Sequence, residues 1–387
     1  MLLPKNVKYI LNELYKKGYE GYIVGGCVRD HLMGKEPHDY DITTSALPEE
    51  VKEIFPHTVD TGIKHGTVTV IIDKTGYEIT TYRIDGEYKD NRHPEEVIFT
   101  DRLSGDLSRR DFTINAIAYN DVKGYVDLFG GIEDIERKII RGVGEPAKRF
   151  QEDALRMMRA VRFSAQLDFS IEENTLNALK DNADLIKNIS IERIREEFFK
   201  IILSEHNERL EILINSGMTE YFLPEILNKK IDCGKINVLS CDIVVRLAYI
   251  FAGIGWNSVK KIMKRLRTDN KSMADVTLIS KYIDYEITDL YSMRKLVSLT
   301  GENIKRVIEV MCSVKNCDSE IYFNMLNEVK NDCCSLKDLA VSGNDIIETG
   351  IRGQLVGEAL NKALDYVMRE PCNNKKDILL DYIKGVF

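Results

Sequence analysis

Apolar residues near the start of the chain alternate between helical and strand-like spacing. The helical spacing of residues 7–14 predicts an amphipathic helix. An apolar run at residues 21–24 predicts a strand, which leads into the glycine pair Gly25 and Gly26. Residues 28–33 again have a helical pattern. The order of strand, glycine turn and helix predicts an α/β unit at the N-terminus.

Strand patterns continue to about residue 141. Residues 67–72 and 77–83 predict the two strands of a hairpin, joined by a turn at residues 73–76. The polar residues 83–94, which include glycine and proline, predict a long loop. The remaining predictions are a helix at residues 112–119 and a short β-turn unit at residues 125–131 and 138–141.

The pattern changes after about residue 145, where strand-like spacing almost disappears. Helical spacing predicts four helices, at residues 151–165, 171–186, 191–204 and 206–216. It continues to the C-terminus, with turn signals at residues 253–255, 300–301 and 342–344. We find no fixed-period repeat. The pattern predicts an N-terminal α/β head followed by an all-helical remainder.

Length and composition narrow the class of protein. A chain of 387 residues predicts two to four domains, with enough apolar residues for a sizeable core. No apolar run approaches the roughly 20 residues of a membrane-spanning helix, and the first residues lack the apolar segment of a signal peptide. The eight cysteines form no Cys-x-x-Cys pair, so we expect reduced thiols in a cytoplasmic protein.

The most informative pair of residues is Asp39 and Asp41, which follow the glycine turn by little more than ten residues. If they lie on a second strand, carboxylates at positions i and i+2 point to the same side of it. Two carboxylates on one face can hold divalent metal against phosphate oxygens. An Asp-x-Asp pair alone is common in surface turns, so the pair gains weight only from the motifs that follow.

A second candidate site is Arg109-Arg110-Asp111, which directly precedes the predicted helix at residues 112–119. Unsatisfied N–H groups at a helix N-terminus, together with two arginines, suit an anionic phosphate chain. In the alternative, Asp111 caps the helix and both arginines are solvated.

The third candidate is a polar stripe on the predicted helix at residues 151–165. Its members recur every three residues and are Asp153, Arg156, Arg159 and Arg162. Residues three apart share one side of an α-helix, so an ion-pair ladder is one interpretation. Three arginines with one aspartate leave an excess of positive charge, which favours phosphate.

Charge is negative overall, −8, but basic residues cluster locally. Residues 137–162 contain eight Arg or Lys against three Asp or Glu. A second basic run comprises Lys260, Lys261, Lys264, Arg265 and Arg267. An acidic protein can bind a polyanion through one basic face. A solvated helix face is the alternative for the second run.

These motifs in this order resemble the class II tRNA nucleotidyltransferase (CCA-adding enzyme) and bacterial poly(A) polymerase family. The quoted elements are Gly-Gly-x-Val-Arg-Asp, Asp-x-Asp, Arg-Arg-Asp-Phe-Thr-x-Asn-Ala and Glu-Asp-x-x-Arg, and residues 189–197 look like a further family motif. The resemblance covers about residues 20–200. It implies an α+β fold, with a DNA polymerase β-like head of mixed sheet and helices, followed by an all-helical neck, body and tail. The implied domains are residues 1–140, 141–210, 211–290 and 291–387.

The resemblance also implies roles for the head residues. Asp39 and Asp41 would hold two Mg²⁺ ions, of which one activates the primer 3′-hydroxyl and the other orders the triphosphate. Glu78 is the candidate third catalytic carboxylate, with a plain surface acid as the alternative. Matches to nucleotide-binding positions are Gly25, Gly26, Arg29, Arg110, Arg159 and Arg162.

Base recognition falls, by the same resemblance, to Asp153 and Arg156. Cytosine and adenine both present an amino donor beside a ring-nitrogen acceptor, so a carboxylate and a guanidinium can bind either base. Uracil and guanine present a carbonyl beside an N–H, and mismatched polar groups are rejected strongly. CTP and ATP are therefore the expected substrates, and no nucleic-acid template is needed.

Several activities share this head. Residues 83–94 resemble the loop of enzymes that add the terminal A, and the short tail is not basic, which favours CCA addition. A-only addition and polyadenylation are the alternatives. A nucleotidyltransferase acting on a small molecule would not need the Glu-Asp-x-x-Arg helix or a long helical body. A silent RNA-binding protein is disfavoured because both aspartates and the Asp153 and Arg156 pair are intact.

The expected partner is the acceptor arm of tRNA, which we expect to be recognised by its shape and by contacts to its phosphate groups. The basic run from Lys260 to Arg267 is the candidate RNA-binding face. No membrane and no protein partner is expected, and the sequence leaves a homodimer open.

Overall fold

The computed structural model describes residues 1–86 and 97–387. Contacts divide the chain into two compact units, Met1–Lys229 and Lys230–Phe387. The first unit mixes strands and helices, and the second is helical throughout the described residues. The observed α+β architecture therefore agrees with the predicted one, whereas the four-domain division stays a prediction.

The first unit contains eleven described strands and eleven described α-helices. Its strands are β1 (Gly21–Val24), β2 (Ile42–Thr44), β3 (Thr58–Gly62), β4 (Thr67–Ile72), β5 (Thr75–Thr81), β6 (Arg83–Asp85), β7 (Val97–Phe99), β8 (Ile117–Asn120), β9 (Gly124–Asp127), β10 (Ile139–Ile140) and β11 (Ser170–Ile171). Its helices are α1 (Lys5–Lys16), α2 (Gly26–Leu32), α3 (Pro48–Ile54), α4 (Leu103–Ser108), α5 (Gly131–Glu136), α6 (Pro146–Glu152), α7 (Leu155–Leu167), α8 (Glu173–Asp181), α9 (Ile191–Ile202), α10 (Leu210–Asn215) and α11 (Thr219–Phe222).

Seven of these strands form one mixed sheet in the order β3-β4-β5-β2-β1-β8-β9. Strand β2 runs parallel to β5 and antiparallel to β1. The predicted hairpin is confirmed as β4 and β5, with Ile72 opposite Thr75. Its turn is shorter than predicted, because Asp73 and Lys74 both adopt positive φ, 50° and 65°, as a two-residue type I′ turn requires.

Three predictions near the sheet are wrong in detail. Asp39 and Asp41 precede β2 and do not lie on a strand. Residues 112–119 form a 3₁₀ turn, Thr113–Asn115, followed by β8 and not one helix, because this buried segment pairs with β1 and β9 in the sheet. The predicted loop 83–94 begins as strand β6, paired with β7. The rest of that loop, residues 87–94, lies outside the described residues.

Helices dominate the chain after β10, as predicted. The helix predicted at residues 151–165 is broken at Asp153, whose φ of −137° and ψ of 103° separate α6 from α7. The helix predicted at 171–186 begins after a two-residue strand, β11, and ends as α8 before a 3₁₀ segment. The helix predicted at 206–216 comprises a 3₁₀ turn and α10.

The second unit packs its helices around apolar side chains. Its described helices are α12 (Ile243–Ile250), α13 (Trp256–Arg265), α14 (Asn270–Tyr282), α15 (Leu290–Thr300), α16 (Ile304–Lys315), α17 (Ser319–Glu328), α18 (Gly343–Glu348), α19 (Gln354–Arg369) and α20 (Lys376–Val386). One core cluster joins α18, α19 and α20 through Ile346, Val367 and Leu379, which are fully buried. Within the described ranges, no helix combines the length and apolarity needed to cross a membrane.

Candidate active site

The glycine turn between β1 and α2 stands at the centre of the candidate site. Gly25 adopts φ 81°, and a β-carbon there would lie 3.1 Å from Arg110 Nη1. Glycine is therefore required both by backbone conformation and by the close approach of the guanidinium group. The Val24 backbone N–H donates to Asp41 O at 3.0 Å, so the turn and the second aspartate are direct neighbours.

The three predicted catalytic carboxylates line one cleft of about 550 Å³. Asp39 and Asp41 line it just before β2, and Glu78 lines it from β5. Ile42 pairs with Ile79 in the parallel ladder, so the preceding residues, Asp41 and Glu78, are neighbours across β2 and β5. Residues other than the carboxylates also line the cleft, namely Pro4, His38, Tyr40, Thr75, Gly76 and Tyr77.

The charge environment of the cleft is strongly acidic. Burial raises the pKa of Asp41, the charge of Arg110 opposes this effect, and the neighbouring charge of Asp39 adds to it. Part of the Asp41 residue is nevertheless exposed to solvent. Among the described residues, no three His, Cys, Asp or Glu side chains converge as ligands of one ion. Two carboxylates are sufficient for Mg²⁺, which takes its other ligands from water and substrate phosphates.

A fully buried aspartate, Asp106 on α4, holds both arginines of the second motif. It accepts hydrogen bonds from Arg109 Nε and Nη2 at 3.0 and 2.8 Å and from Arg110 Nη2 at 3.3 Å. The Thr43 hydroxyl donates to it at 3.3 Å. Burial by itself would raise the pKa of Asp106, but Arg109 and Arg110 lower it below its usual value. The ionised carboxylate therefore fixes Arg110 beside the glycine turn.

A chain of hydrogen bonds joins α2 to α7. Arg29 Nη1 donates to Asn115 Oδ1 at 2.8 Å, and Asn115 Nδ2 donates to Asp111 Oδ1 at 3.2 Å. Arg159 closes the chain by donating from Nε to Asp111 Oδ2 at 2.8 Å. Three predicted nucleotide-binding elements are thus connected through Asn115 and Asp111.

Asp111 binds both its own segment and α7. It accepts from the Phe112 backbone N–H at 2.8 Å and pairs with Arg159. The predicted capping role is wrong, because the turn at Thr113–Asn115 has no side-chain cap. Burial would raise the pKa of Asp111, and the charge of Arg159 outweighs burial and lowers it to about 2. The alternative with solvated arginines is wrong, because Arg109 and Arg110 are less than one-fifth exposed.

Phe163 gathers three of the predicted arginines around one aromatic ring. The guanidinium carbons of Arg29 and Arg159 lie 5.2 Å from the ring centroid, and that of Arg162 lies 4.2 Å away. Arg162 Nε is 2.9 Å from Glu197 Oε2, an ion pair without hydrogen-bond alignment. Burial, followed by the repulsion of Arg159, lowers the pKa of Arg162 to about 10.

The predicted base-reading pair lies where α6 ends and α7 begins. Asp153 accepts from the Leu155 backbone N–H at 3.0 Å and from Arg193 Nη2 at 2.9 Å. Arg156 donates from Nη1 to Glu152 Oε2 at 2.7 Å and from Nη2 to Arg109 O at 2.9 Å. Asp153 and Arg156 are therefore held by separate partners and do not pair with each other as in the predicted ladder.

Three family models match consecutive parts of the chain. A model described as the poly A polymerase head domain matches residues 21–141. A model described as a probable RNA and SrmB-binding site of polymerase A matches residues 168–230. A third, for tRNA nucleotidyltransferase domain 2, matches residues 245–383.

Relatives that match over their whole length decide the family. The CCA-adding enzyme of Lactobacillus helveticus is 39% identical, over 97% of this chain and 96% of the relative. The CCA-adding enzyme of Pediococcus pentosaceus is 36% identical, over 98% and 97%. The chain belongs to the CCA-adding enzyme family. The crystal structure of the Bacillus stearothermophilus CCA-adding enzyme in complex with CTP is 33% identical, with a TM-score of 0.82 over 99% of this chain and 98% of that chain.

Within this member of the CCA-adding enzyme family, the basic run predicted to bind RNA lies on and just after α13, in the second unit. Val259, Ile262 and Met263 face the core. The five basic side chains are exposed and are those of Lys260, Lys261, Lys264, Arg265 and Arg267. The amphipathic pattern agrees with either a binding face or a solvated face, so RNA contact stays a prediction.

Sequence reasoning missed two residues that organise the site. Asp106 stands three and four residues before Arg109 and Arg110, a spacing that signals helical ion pairs. Phe163 stands four residues after Arg159, which is the spacing of a helical side-chain pair. The contact of Arg29 with the same ring joins distant segments, and no local sequence signal carries it.

Proposed function

We propose that this chain adds C, C and A to the 3′ end of tRNA from CTP and ATP, without a nucleic-acid template. The chain is a nucleotidyltransferase of the CCA-adding enzyme family. The observation that carries the proposal at the site is the acidic cleft of Asp39, Asp41 and Glu78, which adjoins the glycine turn and its arginines. Carboxylates beside clustered guanidinium groups suit the transfer of a nucleotidyl group from a triphosphate.

Arg29 and Arg110 would bind the triphosphate. Arg110 is held by Asp106 next to Gly25, where the missing side chain lets the guanidinium group approach the turn closely. Arg29 is oriented by Asp30 and Asn115. A guanidinium group has five N–H donors, so each arginine keeps donors for substrate beyond those used on protein partners.

Asp39 and Asp41 would hold two Mg²⁺ ions. Both are oxygen donors in one cleft, and the exposure of Asp41 allows phosphate oxygens to complete the coordination. Bound Mg²⁺ would supply Lewis-acid activation of the primer hydroxyl and charge neutralisation at the leaving pyrophosphate. Glu78 lies on β5 beside Asp41 and would orient the primer end or the ligands of the metal ions.

Asp153 and Arg156 would select the base. Arg193 and the Leu155 N–H leave each Asp153 oxygen with a free acceptor position, which the amino group of cytosine or adenine can fill. Arg156 can donate to the ring nitrogen. Arg159 and Arg162 would add positive charge near the nucleotide. Uracil or guanine would place a carbonyl against the Asp153 carboxylate and an N–H group against the Arg156 guanidinium, so both contacts would be unfavourable.

The second unit would bind the tRNA acceptor arm, with Lys260, Lys261 and Lys264 among the phosphate contacts. A Thermotoga maritima CCA-adding enzyme complexed with tRNA-CCA shares the fold, with a TM-score of 0.73 at 21% identity. The proposed place of action is the cytoplasm, where tRNA is the available substrate.

The experiment uses tRNA transcripts that lack three, two or one of the terminal nucleotides. Each transcript is incubated with both CTP and ATP, one of which carries the label. The proposal predicts extension by three, two and one nucleotides respectively, ending in CCA. Extension of only the last transcript would identify A-only addition, and long adenosine tracts would identify a poly(A) polymerase. Failure to extend the transcript that lacks three nucleotides would refute CCA addition.

A further inference from the structure

Two cysteines meet at the C-terminal end of α16, in the second unit. Asn316 ends this helix in the left-handed conformation, with φ 54°. The Cys317 backbone N–H then donates to Cys312 O at 3.1 Å, which folds the chain back against the helix end. A direct main-chain bond brings two residues close, and a disulfide needs a Cα separation of about 4.4–6.8 Å.

The side chains complete this approach. Burial and the neighbouring Cys317 thiol raise the pKa of Cys312, and burial together with Cys317 and Cys312 raises the pKa of Tyr322 on α17, as expected for side chains that lie close together. Cys312 is buried, whereas Cys317 is exposed. The pair therefore places an accessible thiol directly in front of a shielded one, which is the arrangement of an attacking and a resolving cysteine.

Both thiols line a cleft of about 330 Å³, which gives a small reagent access to them. Its walls are largely apolar, with Val238 and Leu239 among the lining residues, but they also include the polar side chains of Lys235, Glu309 and Asn316. A lysine beside an exposed thiol suits a small reagent that carries carboxylates. The cleft belongs to the second unit, whereas the candidate catalytic carboxylates belong to the first.

We propose that Cys312 and Cys317 form a dithiol modification site, which low-molecular-weight disulfides such as oxidised glutathione convert to an intramolecular disulfide. The Cys317 thiolate attacks one sulfur of the reagent, and the other half leaves as a thiolate that takes up a proton. Cys312 then loses its proton, attacks the Cys317 sulfur and releases the second glutathione. The protein loses two protons and two electrons, and one disulfide reagent becomes two thiols.

The order of the two steps follows from the surroundings of Cys312. Burial, together with the neighbouring Cys317 thiol, raises the pKa of Cys312 to about 12, so it is a protonated thiol at neutral pH. Only a thiolate attacks a disulfide efficiently. The exposed Cys317 therefore reacts first, and the shielded Cys312 resolves the mixed disulfide.

The test uses the reduced full-length chain, incubated with oxidised glutathione, blocked with N-ethylmaleimide and digested with trypsin. Because trypsin cuts after Lys315, the disulfide would join peptides 307–315 and 316–330, at a mass two hydrogens below their sum. In the Cys312→Ser variant, Cys317 should instead retain one glutathione. The exposed Cys241 and Cys372 serve as internal controls, expected to carry glutathione or the blocking group.

Two outcomes would overturn the proposal. In one, peptides 307–315 and 316–330 stay separate in the parent protein and Cys317 carries a stable glutathione. In the other, neither cysteine reacts while Cys241 and Cys372 do. Circular dichroism of the treated protein distinguishes reaction in the folded chain from reaction after unfolding, and a joined pair found only in unfolded protein also counts against the site.

Discussion

At the scale of single residues, the candidate site depends on buried charged side chains that hold the substrate-facing side chains in place. Asp39 and Asp41 face the cleft, but Arg110 reaches the glycine turn only because the buried Asp106 binds it. Arg29 is oriented in the same way through Asn115 and Asp111. The residues that would touch substrate are therefore only part of the machinery.

Asp106→Asn should weaken nucleotide use more than it weakens the fold. The amide keeps the shape of the side chain but loses the negative charge that fixes both arginines. A displacement of a binding group by about 1 Å can cost 10²-fold in rate, so we expect kcat/KM for CTP and ATP to fall by about that factor, with a raised KM. Steady-state incorporation into tRNA measures this. The exposed Asp101→Asn variant is the matched control, and equal kinetics of the two variants would contradict the assigned role.

Asp111 should make stability depend on acid pH. Its pKa is about 2 when folded against an ordinary 3.8, so its ionised form contributes stability above pH 4 that is lost as the pH falls towards 2. A shift of this size corresponds to about 2 kcal/mol. Asp111→Asn should lower the thermal midpoint at pH 7 and flatten its decline between about pH 4 and 2. A variant that declines as steeply as the parent would argue against the pairing with Arg159.

Single residues were predictable from sequence where the chemistry is local. Asp39, Asp41 and the pair Asp153 and Arg156 stand in short motifs, and the structure places them beside the cleft and at the α6–α7 break. Phe163 was not predictable in its role, because an aromatic residue on an apolar helix face looks like core. Its contact with Arg29 depends on how α2 packs against α7.

At the scale of elements, patterns predicted well where the turn chemistry is strong. The β4–β5 hairpin was correctly predicted from alternating residues around a polar turn. The prediction for residues 112–119 was wrong because a fully buried strand has no alternation, and its apolar run matches a helix equally well. The break at Asp153 was missed because the apolar spacing continues across it.

The contact of α5 with the 3₁₀ turn at Thr113–Asn115 provides an element-level test. A β-carbon at Gly131 would lie 2.2 Å from Thr113 O, so Gly131→Ala forces the turn to move. Overpacking of this kind costs about 1–3 kcal/mol or more. Because the same turn carries Asn115, the KM for nucleotide should rise as well.

The control is Gly357→Ala in α19. The added β-carbon meets no atom within 4 Å and should instead stabilise the chain by about 0.5–1 kcal/mol. Thermal unfolding and steady-state kinetics of both variants measure this, and similar effects of the two changes would contradict the packing argument.

At the scale of the whole molecule, a mixed-sheet unit contains the candidate active site and a helical unit offers an exposed basic face. The change from strand to helix after residue 145 was visible in the apolar pattern, whereas the boundary of the compact units at Lys229 was not, because helices continue on both sides of it. Binding of a polyanion by an acidic chain requires its charges to be segregated in this way.

The triple variant Lys260→Gln, Lys261→Gln and Lys264→Gln tests this basic face. If the three lysines neutralise phosphates, the affinity for tRNA should fall, and the slope of log K against log salt should become shallower by up to about 0.9 per lysine. Binding measured at several salt concentrations gives both quantities. The exposed pair Lys330→Gln and Lys337→Gln is the control. If the slope of log K against log salt is unchanged in the triple variant, the basic residues of α13 form a solvated face that does not contact RNA.

The most direct test of the central claim is single-turnover addition of labelled CMP to tRNA lacking its last three nucleotides, with the parent chain and with Asp39→Ala and Asp41→Ala. The exposed Asp60→Ala variant is the control for the loss of a surface acid. The account predicts that addition by either cleft variant falls by at least about 10³-fold, as expected when charge stabilisation is removed from a transition state, while circular dichroism stays that of the parent. A correctly folded cleft variant that adds CMP at the parental rate would contradict it.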